Sequence, residues 1–122
     1  MKKILIAEDN EGLLKSIASK LRSSGYQTVE AFDGEVALER LRESKPDLVL
    51  LDIVMPKYSG FDVLEVMHSD SSLSDIPVII ISNSGQEVEI DRAKKLGAKD
   101  FLIKPEFTPD EVLQKIKDNL KD

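Results

Sequence analysis

Leu48-Val49-Leu50-Leu51-Asp52, followed by Ile53-Val54-Met55-Pro56, is an apolar run that stops on an acid. A strand without polar alternation is buried on both faces, as in a parallel sheet covered by helices. The pattern recurs twice. Lys3-Ile4-Leu5-Ile6-Ala7 runs into Glu8-Asp9, and Phe101-Leu102-Ile103 runs into Lys104-Pro105. Open α/β sheets carry their sites at the carboxyl ends of such strands. Glu8, Asp9, Asp52 and Lys104 are therefore expected to meet at one sheet edge. Crowded carboxylates repel one another unless a cation lies among them. An acid cluster with one lysine suits a hard divalent metal and a phosphoryl-like ligand.

Outward from these strands, helical and strand-like patterns alternate. Leu13, Leu14, Ile17, Ala18 and Leu21 recur at helical spacing, and Gly25 is placed to close that helix. Tyr26 to Ala31 alternates like an edge strand with one wetter face. Asp33-Gly34 opens a helix holding Val36, Ala37, Leu38 and Leu41, and the strand 47–52 follows Pro46. Ser59-x-x-Asp62 has the character of a capping box, and Ser84-x-x-Glu87 is a full one. Between them, Ile76 to Ser82 reads as a buried strand, and the helix after it ends at Leu96-Gly97. Lys99 to Ile103 is the last strand. Thr108-Pro109-Asp110-Glu111 combines a cap, a proline at the first helical position and a glutamate three residues on. Five βα units in succession predict an α/β fold, a doubly wound parallel sheet with helices on both faces.

At 122 residues, with no internal linker or repeat, the chain reads as one domain over 1–122. Its 17 Lys+Arg against 23 Asp+Glu give a net charge of -6, which argues against direct nucleic-acid binding through a basic face. There is no cysteine, so disulfides, thiol nucleophiles and thiolate zinc sites are excluded. An intracellular, cytoplasmic location is the expectation. No apolar run approaches membrane-spanning length, and the start is too short in apolar residues for a leader.

Other polar residues stand at strand ends. Ser82 closes the fourth strand with a hydroxyl. An ammonium at a buried strand end, as at Lys104, is costly unless it has a partner. Met55-Pro56 keeps the chain non-helical after Asp52 and leaves carbonyls such as that of Val54 free to ligate a cation. The single histidine, His68, reads as a solvated surface residue, as do Lys94, Lys95 and Lys99. No Gly-x-x-x-x-Gly-Lys loop or Gly-x-Gly-x-x-Gly fingerprint occurs, and one histidine without cysteine supports no nucleophile–histidine pair.

Glu8-Asp9, Asp52, Ser82 and Lys104-Pro105 together resemble the receiver domain of bacterial two-component response regulators, of the single-receiver, chemotaxis-regulator type. Asp52-Ile53-Val54-Met55-Pro56, with Gly60 beyond it, is similar to that family's phosphorylation loop. Leu96-Gly97-Ala98-Lys99-Asp100-Phe101 is similar to its approach to the catalytic lysine. The resemblance spans essentially the whole chain. It implies a flavodoxin-like (βα)5 fold with strand order 2-1-3-4-5. It also implies that Asp52 accepts a phosphoryl group from a histidine kinase or histidine phosphotransfer protein. Asp9, Asp52 and the Val54 carbonyl would bind Mg²⁺, with Mn²⁺ as a substitute, and Glu8 would act through metal-bound water. Ser82 and Lys104 would hold phosphoryl oxygens, and Phe101 would turn inward as Ser82 moves.

Such a protein is a signalling switch, with no independent substrate turnover and no organic cofactor. Its output would be a downstream protein partner or an effector domain absent from this chain. Asn83 and Glu106 depart from the family's usual residues, and Val54 and Ser84 stand where the family tunes dephosphorylation. Two alternatives compete. One is a receiver-like binding module that is not phosphorylated. The other is a haloacid-dehalogenase-type phosphatase, which wants a second acid where this chain has Val54.

Overall fold

The computed structural model describes residues 1–82, 87–103 and 107–120. The elements alternate strictly: β1 (Lys3–Ala7), α1 (Glu11–Ser23), β2 (Gln27–Ala31), α2 (Gly34–Ser44), β3 (Leu48–Asp52), α3 (Gly60–Ser69), β4 (Val78–Ser82), α4 (Glu87–Lys95), β5 (Asp100–Ile103) and α5 (Pro109–Asn119). All four strand pairings are parallel, and the sheet order is β2-β1-β3-β4-β5. This is the doubly wound, flavodoxin-like arrangement expected from the alternation and the family resemblance.

The period of two along each strand divides the core. Leu5, Val49, Leu51 and Ile80 face α2, α3 and Ala93 of α4. Ile4, Ile6, Leu50 and Ile81 face Leu14, Ile17 and Leu21 of α1 and Val112 and Ile116 of α5. Every residue of β3 is buried, because the strand is central in the sheet and covered on both faces. Each fully buried Leu or Ile contributes about 1.5–3 kcal/mol relative to exposure.

Local chemistry sets the helix ends. Asn10, Asp33, Ser59 and Thr108 each accept a backbone N–H with the side chain at the helix start. Ser59/Asp62 and Thr108/Glu111 form reciprocal capping boxes, with aspartate serving in the first as glutamate does in the second. Gly25 follows α1 at φ +96°. Its N–H bonds the Arg22 carbonyl, and that of Tyr26 bonds the Leu21 carbonyl, closing the helix. The capping box at Ser84 falls outside the described residues.

After β1, the strands begin one or two residues later than the sequence patterns suggest. β4 starts at Val78 instead of Ile76 because Pro77 has no N–H to give the ladder, although its carbonyl still accepts from Val49 at 3.0 Å.

Candidate functional site

The register brings the acids level. Ala7 pairs with Leu51, so Glu8 and Asp52, the next residue on each chain, leave the sheet side by side. Asp52 pairs with Ile81 on the other flank, which sets Ser82 one step beyond it. Glu8 is fully buried, Asp52 is 2% exposed and Asp9 is exposed. One carboxylate oxygen from each of the three lies within 4.8 Å of the others. Glu8 Oε2 accepts the Asn10 N–H at 2.9 Å, and Asp52 Oδ1 accepts the Val54 N–H at 3.4 Å.

Two glycines make the loop after Asp52 possible. A Cβ on Gly60 would stand 2.2 Å from the Asp52 carbonyl oxygen, and one on Gly34 would stand 2.1 Å from that of Tyr58. With neither present, the Gly60 N–H reaches the Ile53 carbonyl at 2.7 Å and the Gly34 N–H reaches that of Pro56 at 3.3 Å. Lys57 turns the loop through φ +70°, and its ammonium lies 3.9 Å from Asp33 and 3.6 Å from Glu35 at the start of α2. Val54 is largely exposed in this loop, and residues 53–59 remain non-helical, as Met55-Pro56 implied.

Ser82 is half-buried at the end of β4, and its hydroxyl donates to Glu89 Oε1 on α4 at 3.4 Å. Phe101 is half-buried on β5 and lines the same small gap as Ser82 and Glu89. Glu89 has no local sequence signal. It lies seven residues after Ser82, and only the placement of α4 brings the two together. Lys104 and Pro105, together with Asn83, Ser84 and Glu106, lie outside the described residues. His68, Lys94, Lys95 and Lys99 are exposed, as read from the sequence.

The donor set is all oxygen, which suits Mg²⁺ or Ca²⁺ over softer ions. Oxygens on opposite sides of Mg²⁺ lie about 4.2 Å apart, so a cluster spanning at most 4.8 Å is near the required size. The residues present therefore fit a hard divalent cation.

A family profile described as the response regulator receiver domain matches residues 4–117. The chain belongs to the response regulator receiver domain family. It is a receiver of the kind used in two-component phosphorelay signalling, and receivers as a class act as signalling switches that bind Mg²⁺ and take a histidine kinase as partner.

The phosphate regulon transcriptional regulatory protein PhoB of Escherichia coli (strain K12) is 35% identical over 116 residues, 95% of this receiver and 50% of PhoB. The alkaline phosphatase synthesis transcriptional regulatory protein PhoP of Bacillus subtilis (strain 168) is 34% identical over 116 residues, 95% of this receiver and 47% of PhoP. The receiver spans about half the length of these curated relatives. Among solved structures, Vibrio cholerae chemotaxis protein CheY4 superposes with a TM-score of 0.92 at 25% identity, covering 98% of this chain and 99% of that one. The Francisella response regulator 1452 receiver domain gives 0.88 at 29% identity, with 96% and 94% covered. Among the described residues, no helix is long and apolar enough to cross a membrane.

Proposed function

We propose that Asp52 accepts a phosphoryl group from a phosphohistidine of a histidine kinase or a histidine phosphotransfer protein. The observation that carries this reading is the cluster of Glu8, Asp9 and Asp52 at the carboxyl edge of the sheet of a receiver-family chain. A carboxylate oxygen of Asp52 attacks phosphorus, an O–P bond forms, the P–N bond breaks, and the leaving imidazole keeps the electron pair. Asp9, Asp52 and the Val54 carbonyl would hold Mg²⁺, with Mn²⁺ as a substitute, and Glu8 would hold a water of its shell. The ion, when bound, neutralises charge on the incoming phosphoryl oxygens. The Ser82 hydroxyl and the Lys104 ammonium bind phosphoryl oxygens and position them for in-line attack. The new dianionic group biases Ser82 and Phe101 between two arrangements.

The domain comprises residues 1–122 and returns to its starting state when water hydrolyses the acyl phosphate. It acts in the cytoplasm, where kinase donors meet their receivers. Its output is a contact with a downstream protein, or with an effector domain such as those implied by the transcriptional regulators among its relatives. The phosphatase alternative lacks support, since Val54 stands where that chemistry needs an acid. A binding module that is not phosphorylated is the reading that a negative result would favour.

Intact-mass spectrometry after incubation with acetyl phosphate tests the proposal. A gain of about 80 Da that requires both Mg²⁺ and Asp52, and is lost in Asp52→Asn, is expected. No gain under conditions that label a control receiver would refute it.

A further inference from the structure

The hydroxyl of Ser82 has an acceptor in this structure that the proposed phosphoryl chemistry does not use. Ser82 Oγ donates to Oε1 of Glu89 at 3.4 Å. Glu89 sits half-buried in the first turn of α4, where a carboxylate is favoured by the helix dipole. The gap that it shares with Ser82 and Phe101 is otherwise lined by apolar side chains, among them Ile53, Ile80 and Ile90. The volume left there is about 10 Å³, room for at most one water molecule.

A hydroxyl has a single proton to donate. While Ser82 gives that proton to Glu89, it cannot also give it to a phosphoryl oxygen on Asp52. At 3.4 Å the bond is longer than an ordinary O–H···O hydrogen bond, so the exchange of acceptor is cheap and reversible. Glu89 is half-exposed, so its carboxylate can take water in place of Ser82 once released.

We propose that Glu89 is a positioning residue that holds the Ser82 hydroxyl on α4 and competes with the phosphoryl group for it. This rests on the phosphoryl-acceptor reading above and adds to it the acceptor that Ser82 must leave. It makes α4 the element that senses whether Ser82 has moved.

Titration of beryllofluoride, a phosphoryl mimic, with Mg²⁺ in wild type, Glu89→Ala, Ser82→Ala and the double variant tests this. Removing the competitor is expected to tighten beryllofluoride binding about three- to tenfold when Ser82 is present, the worth of one charge-assisted hydrogen bond of modest strength. In the Ser82→Ala background the same change is expected to have less than about a twofold effect, because no hydroxyl remains to compete for. Equal tightening in both backgrounds would mean that Glu89 acts by charge alone, and would overturn the inference, as would no tightening in either. Glu89→Met, which keeps the length of the side chain without an oxygen acceptor, replaces Glu89→Ala if the alanine variant does not fold.

A second arm needs neither metal nor phosphoryl mimic. In the metal-free protein, loss of Glu89 is expected to move the Ser82 side-chain NMR resonances, and unmoved resonances would also overturn the inference. If wild type fails to bind beryllofluoride, the phosphoryl-acceptor reading falls, and this arm still decides whether Glu89 holds Ser82.

Discussion

Replacing Asp52 by asparagine should stabilise the metal-free protein. Glu8 and Asp52 are both buried, and their carboxylate oxygens lie within 4.8 Å. Two unit charges at that separation repel by about 3 kcal/mol at an effective dielectric of 20. Asp9 adds a smaller amount, since it is exposed and screened by solvent. The amide keeps the side chain's shape and can still accept the Val54 N–H, while the other interactions of the Asp52 carboxylate weaken with the loss of its charge. Relaxation of the loop and the weakening of those other interactions absorb part of the gain, which leaves an expected stabilisation of about 1–2 kcal/mol in EDTA at neutral pH. With a urea m-value of about 1–3 kcal/mol/M for a small protein, the midpoint should rise by roughly 1 M.

The chain has no tryptophan, so far-UV circular dichroism is the suitable probe. Adding Mg²⁺ should narrow the difference, because wild type gains about 1.4 kcal/mol at ten times its dissociation constant and the variant gains less. A variant no more stable than wild type in EDTA would refute the premise that the three carboxylates repel one another in the folded protein. A difference that Mg²⁺ leaves untouched would refute the assignment of Asp52 as a ligand.

Gly60→Ala should cost about 1–3 kcal/mol or more and lower acetyl-phosphate labelling, since the new methyl group meets the Asp52 carbonyl oxygen at 2.2 Å; urea melts and intact mass read both effects. Thr108→Ala removes a reciprocal cap from α5 and should cost about 1 kcal/mol by urea melts, with labelling unchanged. Burial pushes the Asp100 carboxyl up. Hydrogen bonds from the Lys115 ammonium, the Phe101 N–H and the Asn119 amide outweigh that effect and hold it below the ordinary 3.8. A group with a lowered folded value stabilises fully above its unfolded value and loses that contribution as pH falls through the folded one. Asp100→Asn should therefore flatten the fall in melting temperature below about pH 4; an acid limb as steep as that of wild type would count against it.

The fold was legible because its signals were local and mutually consistent. The pentad Leu48 to Asp52 has no polar alternation, Thr108-Pro109 marks a helix start, and Gly25 marks a helix end. The meeting of Glu8, Asp9 and Asp52 followed from one rule about strand ends, and the register supplies the reason: Ala7 and Leu51 are partners. The first residues of strands were read too early at Tyr26, Asp47, Ile76 and Lys99, since residues flanking a ladder share its composition without sharing its bonds. Long-range side-chain pairs left no trace in the sequence. Glu89 reaches Ser82, and Lys57 approaches Asp33 and Glu35, through the way loops and α4 settle on the sheet. Gly34 read as part of a helix start, yet what requires a glycine there is the backbone of Tyr58, which is remote in sequence.

β3 is hemmed in on every side, with β1 and β4 along its edges and a helical layer on each face. Its amide hydrogens should exchange with solvent only when the whole domain opens, while those of residues 53–59 exchange through local fluctuations. The backbone under Asp52 thus behaves as an anvil. New charge placed there is not relieved by the strand giving way, so the response must pass into whatever borders it loosely, the loops and the near end of α4. On the proposed reading of Asp52 as the phosphoryl acceptor, the chemistry there and its message to a partner are accordingly separable. Loosening the rim should change what is transmitted, while the fixed strand keeps the acceptor in place.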